Sequence, residues 1–205
     1  MSRATILVLA YLPYYLNDFV NIAVTDYTVW VLIDYAMRFG ILAFLLLMLR
    51  RGALDRAALG LSWPPVTDLI LWTVGTSAVA MAYLWLSEFV LAPYYPTWAL
   101  GGVPLDTASP LFRFDATAGL VLVAVSEELV CRGLALSVLR PRLSTPALYA
   151  VSALLFSLMH WSLSAHTLTD AFVYGLILTP AVLATGSVWP STIVHFLINF
   201  VLYNM

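Results

Sequence analysis

The sequence predicts an all-α protein, a polytopic membrane helical bundle of about seven transmembrane helices, and three observations carry that prediction. Composition comes first: of 205 residues, 62% are hydrophobic and only 10% charged, against about 25% charged in ordinary globular domains. Second, mean hydropathy is +0.94, and apolar stretches of about 20 residues recur along the chain, the length a bilayer-crossing helix needs. Third, these stretches are apolar on all sides, whereas the strands of a bilayer barrel alternate apolar and polar residues over about 10 positions. Neither a net charge of −2 nor any run of the sequence offers a basic track for nucleic acid, so that partner is excluded. The bilayer is the expected surroundings.

The seven spans are expected at Ala4 to Val24, Tyr27 to Leu49, Val66 to Ala92, Ala116 to Leu139, Pro146 to Leu163, Leu168 to Ser187 and Pro190 to Tyr203. The first is interrupted by Pro13, Asn17, Asp18 and Asn21, polar groups expected to hydrogen-bond across helices. The second carries Asp34 and Arg38 one turn apart on one face, read as a mutually neutralising structural pair. Trp63-Pro64-Pro65 closes the connection after it. The long loop between Pro93 and Asp115 is rich in Tyr, Trp and Gly, residues suited to the headgroup layer and to turns. Trp63, Trp98, Trp161 and Trp189 near span ends read as interface anchors. The sixth span is expected to kink at Pro180, and the seventh is short, about 20 Å at about 1.5 Å per residue.

No internal repeat or soluble insertion interrupts the pattern, so residues 1–205 are expected to form a single integral membrane domain, with spans one to three and their loop in 1–115 and the motif-bearing core in 116–205. The start resembles a signal peptide but runs too long and lacks a small-x-small cleavage site, so it reads as a retained first span. All nine cations are arginine. With the N-terminus in the cytoplasm, Arg3, Arg50, Arg51, Arg56, Arg140 and Arg142 face inward and only Arg113 outward, which satisfies the positive-inside rule.

Within the fourth span stands Glu127-Glu128-Leu129-Val130-Cys131-Arg132. An ionisable group at the centre of a bilayer helix costs roughly 2.5–3.5 kcal/mol on insertion scales, so three together imply partners and a site. Glu128 and Arg132, at i and i+4, share a face, while Glu127 points about 100° away. Glu128 is therefore expected to be held by Arg132. Glu127 is expected to face a low-dielectric cavity without a cation of its own, as a general base requires. A structural ion pair is the bland alternative.

His160 follows Phe156 by four residues and Asn199 follows His195 by four, each pair on one helix face. Singly, such histidines are commonly hydrogen-bonded packing residues. Together with Glu127 they can activate a water against a peptide carbonyl and donate to the resulting oxyanion. His166, near a loop, reads as a plain surface histidine. Cys131 is the only cysteine, which rules out an intrachain disulfide and a thiolate zinc cluster and leaves a small buried hydrophobe as its role. The absence of lysine removes Schiff-base and phosphate-loop chemistry.

Glu127-Glu128 with Arg132, Phe156 with His160, and His195 with Asn199 resemble, in order and spacing, the EExxxR, FxxxH and HxxxN motifs of the CAAX protease and bacteriocin-processing (CPBP, Abi) family of intramembrane proteases. The match runs from Ala116 to Asn199, and it departs at Cys131, where the family often has an aromatic residue. The resemblance implies a glutamic-type endopeptidase. In it Glu127 is the base and His160 its partner on the water; Glu128 and Arg132 orient the site; His195 and Asn199 form the oxyanion hole; Phe156 lines the substrate cavity.

Zinc bound by His160, His195 and a glutamate is the secondary reading, and no cofactor is expected because a glutamate and histidine can activate water unaided. The expected partner is a hydrophobic, lipidated or membrane-tethered peptide or protein, processed in maturation or at a C-terminal sorting signal, in a prokaryotic cytoplasmic membrane. No His-Glu-x-x-His, Gly-x-Gly-Asp or Gly-x-Ser-Gly stretch supports the other membrane protease types. A non-catalytic adaptor or immunity protein, or a proton-coupled carrier, is the alternative from another class. Residue counting leaves one tension: His195 lies only about 8 Å along its span while Glu127 lies about 18 Å along its own.

Overall fold

The computed structural model describes residues 1–205. It is 77% helical with no strand, and its seven helices follow the expected spans. The first, α1 (Arg3–Ala23), starts where Ser2 Oγ accepts from Thr5 N, and α2 (Tyr27–Arg50) where Asp26 accepts from Val29 N. Both are caps that satisfy an otherwise orphaned amide. α3 (Val66–Tyr94) begins behind Pro65 and loosens into a π turn at Ser87–Leu91 before Pro93 ends it.

Residues 110–139 form α4, which opens with the Ser109 cap and Pro110 and contains two π segments, Asp115–Gly119 and Leu129–Leu134. α5 (Thr145–Leu158), α6 (Ala165–Thr185, with Pro180 inside) and α7 (Trp189–Asn204) complete the bundle. Four of the seven, α1, α2, α3 and α6, are long and apolar enough to cross a membrane. α5, at about 1.5 Å per residue, reaches only about 21 Å.

Large apolar side chains cover the outside, among them Val8, Leu12, Leu32, Phe39, Leu71, Val74, Trp85 and Phe89. This suits a lipid solvent, which removes the drive to hide such groups. α3 buries Thr76, Ala80, Leu84 and Ser87, a stripe at helical spacing and mostly of small residues, and such residues let helices approach closely. The protein is an integral membrane protein.

The fifth helix corrects the sequence reading. The helical run was expected to continue to Leu163, but it stops at Leu158, and His160 lies in the turn beyond it. The cause is tertiary: Ser162 N donates to Asp18 Oδ2 at 2.7 Å, and Leu100 N and Gly101 N both donate to Ser162 O, at 3.0 and 2.9 Å. Amides and carbonyls with such partners have no need of the helical ladder.

The α2–α3 connection also turns inward. Leu54, Ala58 and Leu59 are buried, and the backbone reverses at Gly60, whose φ of +62° favours glycine. Gly60 O accepts from Val188 N at 3.0 Å. Leu59 O sits where a Cβ on Gly133 would meet it at 2.5 Å, so only glycine fits at that point of α4. α7 therefore starts on a sunken floor, with Val188 and Pro190 buried, and this removes the depth tension: His195 enters the bundle level with the glutamates of α4.

Candidate active site

The second π segment of α4 begins directly after Glu128 and contains Arg132. Such segments shift the register of side chains and leave backbone carbonyls without their usual partner; Ser152 of α5 donates its hydroxyl to one of these, Cys131 O, at 3.4 Å. Arg132 Nη1 lies 2.9 Å from Glu128 Oε1, with both side chains fully buried. The Arg132 guanidinium also stacks on the Phe156 ring, 3.8 Å from its centroid, a cation–π contact of the stronger, desolvated kind. Cys131 is buried with its Sγ 3.1 Å from Met159 Sδ, a packing position.

Phe156 joins the two histidines. Its centroid is 5.4 Å from each imidazole, edge-on to His160 at 70° and to His195 at 89°. His195 Nδ1 lies 3.0 Å from Glu128 Oε1. A carboxylate oxygen accepts, so Nδ1 donates and the ring is fixed with Nε2 turned to Glu127 Oε2, 3.8 Å away. His160 is held by its own turn, Nδ1 against Phe156 O at 3.0 Å. Asn199 stands one turn beyond His195 on the same face and lines the same cavity as His195, His160 and Glu127. That cavity has a volume of about 310 Å³. Glu128 and Arg132 lie behind its wall.

Glu127 is not left without a cation, as the sequence suggested. Arg38 Nη1 lies 2.7 Å from Glu127 Oε1 and Arg38 Nε 2.6 Å from Asp34 Oδ2, with Ser126 Oγ at 3.3 Å. Asp34 and Arg38 are therefore no self-contained pair: the guanidinium forks between Asp34 on its own helix and Glu127 on α4. Asn17 Nδ2 donates to the other Asp34 oxygen at 3.1 Å. The result for Glu127 is asymmetric. Oε1 is pinned, while Oε2 is buried with no hydrogen-bond partner in the chain.

The polar groups of α1 do bond across helices. Asn21 Nδ2 donates to Asp18 Oδ1 at 3.0 Å and to Ser162 Oγ at 3.2 Å, and Trp30 Nε1 donates to Asn21 Oδ1 at 2.8 Å. His166 corrects the sequence reading a third time: it is half-buried, with Nε2 2.7 Å from Ser87 Oγ and 3.3 Å from Asp170 Oδ2. Arg38, Ser152 and the surroundings of His166 are the parts sequence reasoning missed. Of these, only the i, i+4 spacing of His166 and Asp170 was visible as a local signal.

Zinc ligands are drawn from histidine, cysteine and carboxylates. Glu88, His166 and Asp170 are the only three such residues whose donor atoms all lie within 4.8 Å of one another. At the centre, His195 Nδ1 donates to Glu128 Oε1, and the Phe156 ring stands edge-on to both imidazoles. Residues 109–201 match the family model described as type II CAAX prenyl endopeptidase Rce1-like. No curated protein and no solved structure matches the chain.

Proposed function

We propose that the chain, whose residues 109–201 match the Rce1-like family model, hydrolyses a peptide bond in a hydrophobic, lipidated or membrane-tethered substrate, with water activated by Glu127 and histidine. The observation that carries the reading is the unpartnered Glu127 Oε2. It is buried, belongs to a residue on the cavity wall and stands 3.8 Å from His195 Nε2. That separation is too long for a direct hydrogen bond and short enough for one water to touch both atoms at about 2.8 Å.

In this mechanism Oε2 takes a proton from the water as its oxygen attacks the scissile carbonyl carbon. The carbonyl becomes an oxyanion that accepts hydrogen bonds from Asn199 and an imidazole, and such donors act most strongly where water is excluded. The tetrahedral carbon then expels the amine as the C–N bond breaks, and Glu127 returns its proton to the leaving nitrogen. Arg38 keeps Oε1 fixed throughout. Arg132 and Glu128 hold His195, and His160, on the same cavity wall, is the second histidine offered to the water. Arg3 pairs with Asp55 at 2.6 Å, which puts the N-terminus beside the arginine-bearing α2–α3 loop and supports a cytoplasmic placement for that end under the positive-inside rule. The proposed setting is a prokaryotic cytoplasmic membrane.

The test is cleavage of a prenylated CAAX-type reporter peptide by the purified protein in detergent, with products identified by mass. Glu127→Gln keeps the shape and removes the base, and a loss of at least about a thousandfold in kcat is expected. A Glu127→Gln variant that cleaves at the wild-type rate would refute the glutamate mechanism. Cleavage that still depends on added zinc in Glu88→Gln would refute its metal-free form.

A further inference from the structure

Where α3 ends and α6 begins, the wall of the same cavity carries a second set of ionisable groups that hydrolysis at Glu127 does not use: Glu88, His166 and Asp170. Ser87 and Glu88 lie in the π turn of α3, and His166 and Asp170 lie one turn apart near the start of α6. One donor atom from each of Glu88, His166 and Asp170 falls within 4.8 Å of the other two. Asp170 is oriented from behind: Ser87 Oγ donates to its Oδ1 at 2.6 Å and Tyr83 OH at 2.8 Å. Its Oδ2 is thereby left for the face where His166 Nε2 stands, 3.3 Å away. The Tyr95 ring packs on the His166 ring, centroids 4.9 Å apart.

Charge makes the arrangement specific. Arg38 and Arg132 each close an ion pair with a carboxylate in the bundle, whereas no arginine pairs with Glu88 or Asp170 and the chain has no lysine. Two carboxylates at a half-buried wall, with one imidazole as the only basic group, lack a positive charge, and low-dielectric surroundings make that lack costly.

We propose that Glu88, His166 and Asp170 bind one divalent transition-metal ion, zinc by donor set, which fastens the end of α3 to the start of α6 at the wall of the cavity. One imidazole and two carboxylates are a zinc ligand set with room for water in the remaining position. Hydrogen bonds from Ser87 and Tyr83 to the non-ligating oxygen of Asp170 are the support that metal-binding carboxylates characteristically receive. His166 contributes Nε2, which for this gives up the hydrogen bond it donates to Ser87 Oγ, 2.7 Å away, its ring proton moving to Nδ1. This site is separate from the Glu127–His195 centre and stands whether or not the chain cleaves peptides.

Purified protein in detergent, stripped with a chelator and dialysed, is titrated with zinc alone against a chromophoric competitor, and bound zinc is counted by elemental analysis. One equivalent bound to the wild type more tightly than about 10 μM is expected. Glu88→Gln and Asp170→Asn are expected to lose that equivalent, with affinity at least tenfold weaker, and Tyr83→Phe to weaken it by about tenfold through Asp170. His160→Ala and His195→Ala are expected to retain it, and added zinc to raise the melting temperature of the wild type but not of Glu88→Gln. Glu88 is half-buried and its substitution by Gln keeps the side-chain volume, so this variant keeps the test open if Asp170→Asn fails to fold. No zinc uptake by the wild type, equal uptake by Glu88→Gln, or an equivalent lost in His195→Ala and kept in Glu88→Gln would each overturn the proposal.

Discussion

Replacing Arg38 with Met removes the one arginine that touches Glu127 and leaves its hydrocarbon volume largely in place. Two carboxylates then lose their partner inside the bundle: Asp34, 2% exposed, and Glu127, 3% exposed, whose ion pairs with Arg38 span 2.6 and 2.7 Å. Removing one member of a buried pair costs about 3–5 kcal/mol, because the remaining charge is stranded. The catalytic effect has a different origin. With Oε1 released, the Glu127 carboxylate turns, and a misplacement of about 1 Å in a reacting group costs roughly a hundredfold in rate.

The assay is turnover of the prenylated reporter per folded molecule, alongside unfolding in a detergent gradient. A loss of about a hundredfold or more in kcat is expected, with KM little changed. Arg38→Lys is expected to recover only part of it, since a point charge cannot fork to both carboxylates. In the double variant with Asp34→Asn, stability is expected to return by about 1–3 kcal/mol relative to additivity while activity stays low. An Arg38→Met protein that turns over within about threefold of the wild type, normalised to folded protein, would show that the guanidinium does not position the base.

Other outcomes follow from the same geometry. Asn199→Ala is expected to lower kcat by about a hundred- to a thousandfold with KM nearly constant, the mark of an interaction made only in the transition state; an equal effect on KM alone would point to ground-state binding. Gly133→Ala puts a methyl 2.5 Å from Leu59 O and is expected to cost about 1–3 kcal/mol by overpacking, read as a lower melting temperature. Asp18→Ala leaves Ser162 N without its acceptor and is expected to raise hydrogen exchange in the turn that holds His160, with turnover falling in proportion; unchanged exchange at Ser162 would contradict that role.

The positions of the helices were legible because lipid-facing segments announce themselves by apolar length. Glu127, Phe156, His160, His195 and Asn199 were legible because their spacings are short and local. The end of α5 was not: from Leu154 to Leu163 the chain contains no Gly or Pro, and the break at Leu158 is imposed by Asp18 and by the amides of Leu100 and Gly101, far away in sequence. Arg38 was assigned to Asp34 because that partner is four residues off, while its other partner, Glu127, is 89 residues off and on a different helix. His166 was underrated for the same reason, since Ser87 approaches it from α3. Arg38 and Glu88 also lie outside residues 109–201, the region matched by the family model.

The sunken segment from Leu54 to Gly60 has one more consequence. It stoppers the end of the bundle where α7 begins, while the cavity extends the other way, past Asn21 and Trp30 toward Leu202 and Tyr203. A substrate that enters and a product that leaves past Leu202 and Tyr203 share one passage. Product that lingers there blocks the next substrate, so inhibition by the cleaved fragment is expected to be competitive, and release rather than bond breaking becomes the step most sensitive to the residues around that passage.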